Sequence, residues 1–226
     1  MPKISVLMAV YDTDFSLVKR AIDSVLKQDF QDFEMIVIDD GSQNGTQNQL
    51  LNYIIQNEDK ISYLRHANCG QSESINRGIL NSTGEYITIL DADDQYKPNH
   101  LSSCLKAISS LDLIASTTET IVDSSDDFYV PDKYDHNQLV HIDDCILFAT
   151  LFGKKEVFMN LKFQKKYAAD AQFYESASKK YAVKKVDLRT YIYYRNIPNS
   201  TCAKMKKTTL NSHHKKLNVH FTSARK

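Results

Sequence analysis

Residues Ile4 to Val10 are a near-continuous apolar run, and this run does most to narrow the folds open to the chain. A strand apolar on both faces must be covered on both faces, which points to the interior of a parallel α/β sheet. The pattern then repeats. Phe15, Val18, Ala21, Ile22, Val25 and Leu26 recur at helical spacing behind Asp14, a residue suited to capping. Phe33 to Ile38 reads as a second strand, Leu50, Leu51, Ile54 and Ile55 mark a helix, and Ile61 to Leu64 is a third strand. A helix over roughly 73–81 is stopped by Ser82-Thr83-Gly84, and Tyr86 to Leu90 is a fourth strand. Strand–helix alternation over the first 95 residues predicts a doubly wound, mainly parallel sheet flanked by helices.

The second half is less regular. A helix is expected near His100 to Ser110 and a strand near Leu111 to Ser116, with loops at 124–127 and 131–132. Ile146 to Phe152 is apolar, Tyr167 to Lys180 reads as a helix with Asp170 in its first turn, and Val183 to Tyr194 as one or two strands. With 226 residues the chain is expected to form one large domain: a binding half over 1–95, a second half over 96–203, and a basic tail over 204–226.

Zero net charge hides an asymmetry: residues 1–127 hold 20 acids against 9 Lys/Arg, and residues 128–226 hold 8 against 19. The tail carries seven Lys/Arg and no acid, as a solvated end or a segment drawn to an anionic membrane face would. No apolar run approaches the ~18 residues of a membrane span. Met1 to Leu7 shows neither a charged leader nor a cleavage site, so the expected compartment is the cytoplasm, with peripheral contact at the inner membrane face through the tail. Cys69, Cys104, Cys145 and Cys202 form no Cys-x-x-Cys pair, which argues against a zinc or disulfide framework; Cys104 and Cys145 are expected in the core.

The chemistry concentrates where strands end. Asp39-Asp40 closes the second strand, and Asp91, Asp93 and Asp94 follow the fourth. Parallel sheets bind ligands at the carboxyl ends of their strands. Clustered carboxylates raise one another's pKa unless a positive charge sits among them, and a divalent cation with substrate phosphates is the natural neutraliser. Helix capping is the alternative reading for each acid. No Gly-x-Gly-x-x-Gly follows the first strand and no Walker pattern is present, so dinucleotide and P-loop chemistry are not indicated.

Four segments in order, Ile4 to Tyr11, Ile38-Asp39-Asp40-Gly41-Ser42, Asn68-Cys69-Gly70-Gln71-Ser72 with Asn76-Arg77-Gly78, and Gly84 to Asp94, resemble the family 2 glycosyltransferases over about residues 3–202. The resemblance implies the GT-A fold and a metal-dependent inverting glycosyltransferase. Its donor would be a nucleoside-diphosphate sugar, by preference a UDP-sugar, and its acceptor a glycan or lipid-linked saccharide. It places Tyr11 on the nucleobase, Asp40 with Asp39 at the base N–H, and Ala9 and Ala92 against the nucleotide. Asp91 would approach the ribose and, with Asp93, hold Mn²⁺ or Mg²⁺, while Asp94 is left as a spare near the sugar. Arg77 would reach a phosphate or Asp91. Asp170 matches the general base, although Ala169 replaces the Glu that precedes it in the family. Arg195 matches a closing segment and would neutralise the diphosphate or order the lid, although Ile197 stands where the family has His.

Two rival readings carry less support. A catalytically degenerate binding or scaffold protein draws on Ala169 and Ile197 alone. A nucleotidyltransferase would need a Gly-rich basic loop after the first strand, and Val10-Tyr11-Asp12-Thr13-Asp14 is acidic and has no Gly. No nucleic-acid partner is expected, because the basic tail lacks interleaved aromatics.

Overall fold

The computed structural model describes residues 1–135, 138–165 and 168–197; Cys202 and the basic tail lie outside the described residues. The chain runs β1 (Ile4–Val10), α1 (Phe15–Leu26), β2 (Phe33–Asp39), α2 (Gln47–Ile55), β3 (Ile61–Arg65), α3 (Gln71–Asn81) and β4 (Tyr86–Ile89). It continues through β5 (Gln95–Tyr96), α4 (His100–Ile108), β6 (Leu113–Ile121), β7 (Tyr129–Pro131), β8 (Leu139–His141) and β9 (Leu151–Lys154). The helices α5 (Lys155–Leu161) and α6 (Ala169–Ser178) then lead into β10 (Val183–Tyr194).

Among the described residues, eight strands form one sheet in the order β3-β2-β1-β4-β9-β6-β10-β5, and β7 pairs only with β8. The pairs β3–β2, β2–β1 and β1–β4 are parallel, so the acidic ends of β2 and β4 open on one edge as expected. The alternation of strand residues decides which face each covers. Val6 and Met8 of β1, with Met35 and Val37 of β2, join one core with Val18, Ile22, Leu50, Leu101 and Cys104 of α1, α2 and α4. Leu7, Ile36 and Ile38 join the opposite core with Ile75, Ile79, Val157, Phe158, Phe173 and Ala177 of α3, α5 and α6. The sheet is therefore wound on both sides.

The second half departs from the expectation in three ways. β9 runs antiparallel to both β4 and β6, making the sheet mixed. The β7–β8 hairpin lies in the chain between β6 and β9. β6 extends to Ile121, while β10 is one strand, within the expected one or two, whose register shifts between Val186 and Tyr191. Cys145 is half-buried and belongs to neither core, whereas Cys104 is fully buried as expected.

Candidate active site

β1, β2, β4 and β10 deliver their last residues to one edge, where the candidate site is built. Tyr11, the first residue past β1, is 53% exposed, with its ring available to a flat ligand. Beside it Ala9 is half-buried, and Ala92 is buried in the loop after β4. Asp12, at φ 48°, ties this loop to the next: its carboxylate accepts from Gln43 and Asn44 N–H, and its own N–H donates to Ser42 Oγ.

Asp39 and Asp40 are both buried, and each is held by its own chain. Asp39 accepts from Tyr63 OH and Ser42 N–H, both at 2.7 Å, with Arg65 Nε at 3.6 Å. Burial alone would raise its pKa, but these partners hold it below the ordinary aspartate value. Asp40 accepts from Cys69 N–H at 2.7 Å, Gly70 N–H at 2.9 Å and Asn68 Nδ2 at 3.1 Å. It therefore clamps the 68–70 loop to the end of β2. The clamp needs Gly41, whose φ is +79° and whose missing Cβ would stand 2.7 Å from Asn68 N.

The three acids after β4 divide. Asp94 is 1% exposed and turns inward, accepting from Tyr191 OH at 2.7 Å and Tyr194 N–H at 2.8 Å. It is a brace between the β4 loop and β10, which corrects its assignment as a spare near a sugar. Asp91 and Asp93 remain half-buried in the cleft. Burial, with Asp93 and Asp170 nearby, pushes the Asp91 carboxyl up to about 7. Burial likewise raises Asp93, against a small opposing pull from Arg20.

Asp170 lies in the first turn of α6, across the cleft and close enough for its charge to raise Asp91. Burial raises its own pKa, opposed by N–H groups of Ala171 and Phe148 that donate to it. The helix is seated by a run of stacked rings, Phe148 on Phe163 at 4.1 Å, Phe163 on Phe173 at 4.3 Å and Phe173 on Phe158 at 5.2 Å. Ala169, at the position of the family's Glu, is buried.

Two arginines flank the cleft. Arg195 follows β10, and its Nε and Nη1 are buried with no hydrogen-bond partner among the described residues. An unmet guanidinium edge is costly unless an anion completes it. Arg20, on α1, was not anticipated. Its Nη2 donates to the Asp93 carbonyl, its guanidinium lies 4.0 Å from the centre of the Tyr194 ring, and its Nε is buried without a partner among the described residues. Only the spacing Val18, Ala21, Ile22 marked the buried side of α1, and Arg20 sits off it, so no pattern gave it away.

Arg77 does not reach Asp91: it pairs with Glu73 one turn earlier, at 3.3 Å. Gln71, the first residue of α3, fills that place, with Nε2 2.7 Å from Asp91 Oδ1. Tyr191 is a second residue missed, its hydroxyl accepting from Asp91 N–H at 3.2 Å. Ile197 is half-buried; residues 198–201 of the closing segment lie outside the described residues.

Asp91, Asp93 and Asp170 thus form a carboxylate cluster, and two cations on this side of the molecule are engaged elsewhere. Arg20 is bound to a main-chain carbonyl, and Lys133 pairs with Glu175. An all-oxygen set with raised carboxyls suits a hard divalent cation such as Mn²⁺ or Mg²⁺, which Asp91 and Asp93 could hold.

Comparison with known proteins agrees with this geometry. A family model described as glycosyl transferase family 2 matches residues 5–178. The GalNAc(5)-diNAcBac-PP-undecaprenol beta-1,3-glucosyltransferase of Campylobacter jejuni is 34% identical over 108 residues, 47% of this chain and 34% of that protein. The aligned stretch spans about a third of the length of such curated relatives. Among solved structures, Staphylococcus aureus TarS 1–349 in complex with UDP-GlcNAc superposes with a TM-score of 0.70 at 18% identity, covering 87% of this chain and 60% of that one. Mannosyltransferase PcManGT of Pyrobaculum calidifontis, in complex with GDP-Man and Mn²⁺, gives 0.68 at 16% identity over 88% and 58%. These structural likenesses establish the shared GT-A fold.

Proposed function

The chain belongs to glycosyl transferase family 2, and from that premise we propose that it transfers a sugar, with inversion, from a nucleoside-diphosphate sugar to a hydroxyl of a glycan or lipid-linked saccharide. The observation that carries this reading is that Asp93 and Asp170, from the two halves of the chain, both lie close enough to Asp91 for their charges to raise its pKa.

Donor binding is assigned to the first half. Tyr11 offers its exposed ring to the base, Asp40 and the loop it clamps border that ring's pocket, and Asp91 approaches the ribose. A divalent cation bound by Asp93 and Asp91 would offset the charge that builds on the leaving diphosphate. Arg195 completes its unmet hydrogen bonds on the same phosphates. UDP is the preferred nucleotide, and TarS binding UDP-GlcNAc supports it, while PcManGT with GDP-Man is the specific alternative.

Transfer is assigned to Asp170. Its carboxylate takes the proton of the acceptor hydroxyl as that oxygen attacks the anomeric carbon from the face opposite the diphosphate. The new carbon–oxygen bond forms as the bond to phosphate breaks, which inverts the configuration. A raised pKa makes Asp170 a better base than a solvated aspartate. The undecaprenol-linked acceptor of the Campylobacter relative supports a lipid-linked acceptor. Attraction of the 204–226 segment to an anionic membrane belongs to the same proposal, and flotation with anionic vesicles tests it.

The direct test pairs donor binding with turnover. Thermal shifts with UDP- and GDP-sugars, with and without Mn²⁺, should show one nucleotide class stabilising the protein only with metal. Release of nucleoside diphosphate should then require acceptor and Asp170. Metal-independent binding, or turnover that survives Asp170→Asn, would overturn the assignment.

A further inference from the structure

At the edge of the proposed base pocket Asp40 joins a second cluster, whose other members, His66 and Cys69, the transferase reading does not use. Asp40 Oδ1, His66 Nδ1 and Cys69 Sγ form a triangle with edges of 3.3 Å (sulfur to nitrogen), 3.5 Å (nitrogen to oxygen) and 3.6 Å (sulfur to oxygen). We propose that these three side chains bind a borderline-soft divalent metal ion of the Zn²⁺ class, in a site separate from the Asp91–Asp93 pair.

The dimensions carry the argument. A tetrahedral ion with bonds of about 2.0–2.3 Å separates its ligand atoms by roughly 3.3–3.7 Å. All three observed edges fall in that range before any ion is present. The donor set is sulfur, nitrogen and oxygen, which Zn²⁺ and Co²⁺ accept and which the hard Mg²⁺ and Mn²⁺ do not select.

The surroundings are also preset for a cation. His66 Nδ1 faces acceptors on every near side: Asp40 Oδ1, Cys69 Sγ and, at 2.8 Å, the Ala67 carbonyl. Its side chain is only 9% exposed, and its Nε2 has no partner among the described residues. Asp40 Oδ1 takes one N–H, from Cys69, and a carboxylate oxygen can serve a further partner. The 68–70 clamp holds Cys69 in place, so the ligands are preorganised. On binding, the sulfur–metal bond forms as the thiol proton leaves to solvent, and a water completes the fourth position. The His-x-x-Cys spacing alone would not have identified the site, because its third ligand is 26 positions before His66.

Cobalt titration of the full chain under reducing conditions tests this. A thiolate-bound Co²⁺ gives a sulfur-to-metal charge-transfer band in the near ultraviolet, whereas Co²⁺ on carboxylates gives none. The wild-type chain should develop this band at a single equivalent and lose it on adding Zn²⁺. Cys69→Ser should abolish it with Cys104, Cys145 and Cys202 intact, and His66→Gln should weaken Co²⁺ binding at least tenfold. Asp93→Ala should leave the band unchanged, which separates this site from the transferase one. No band in the wild type, a band that survives Cys69→Ser, or one indifferent to His66→Gln would overturn the proposal. Melting curves on each metal-free variant show that the fold is retained.

Discussion

The Tyr191 hydroxyl donates to Asp94 at 2.7 Å and accepts from the Asp91 N–H at 3.2 Å. One buried phenol on β10 thus holds both ends of the acidic loop that follows β4. The loop that presents Asp91 and Asp93 is shaped by the far end of the chain, and damage to β10 is expected to reach the metal site.

Tyr191→Phe should therefore cost about 1–3 kcal/mol of stability, since a buried carboxyl and an N–H each lose a partner. The same variant should weaken metal-dependent donor binding with Asp91 and Asp93 both present. Denaturant melts and donor titrations check the two halves. Unchanged donor affinity at reduced stability would limit Tyr191 to a structural role.

Asp93→Ala and Asp170→Asn should separate binding from transfer. The first should abolish the thermal shift that donor and Mn²⁺ produce together. The second should leave that shift intact and lower turnover by about 10²–10⁴-fold, the usual worth of a general base. Coupled detection of released nucleoside diphosphate gives the turnover.

Stability of the metal-free protein should fall as pH rises. The folded Asp91 carboxyl titrates at about 7, above its ordinary 3.8, so between those values the folded state holds more protons than the unfolded state. Stability is then lost progressively from about pH 4 to pH 7 and stays low above it. Asp91→Asn should remove much of this slope and leave the metal-free protein about 1–3 kcal/mol more stable at pH 8. Melts across pH in EDTA, repeated with Mn²⁺, check the sign; a native chain that gains stability from pH 4 to pH 7 would contradict it.

Gly41→Ala should destabilise the protein by about 1–3 kcal/mol, through both a strained positive φ and a clash with the Asn68 backbone. Because that clash pries the 68–70 loop from Asp40, donor affinity should fall as well. Calorimetric melts and donor titration measure the two effects.

How far the site was legible in the sequence differs residue by residue. Asp91 and Asp93 stand out in the sequence because strand ends are local features, and Asp170 through its match to the family's base; the structure brings the charges of Asp93 and Asp170 close to Asp91. Asp94 is chemically identical to its neighbours in sequence. Only the approach of Tyr191 and Tyr194 turns it inward. Arg77 was expected near Asp91, but Glu73 lies one turn away on the same helix face and captures it, leaving Gln71 to make the contact. Arg20 gave no signal because its partners, the Asp93 carbonyl and the Tyr194 ring, are 73 or more positions away.

The sequence by itself determined the parallel first half and its acid-bearing edge, because apolar periodicity and strand-end residues act over a few positions, and its ordered motifs carried the resemblance to the family. Only the tertiary structure decided the antiparallel β9, the two-residue β5, the brace at Asp94 and the Asp40–His66–Cys69 triangle. Each of those depends on groups distant in sequence whose burial and hydrogen bonding exist only once the sheet has closed.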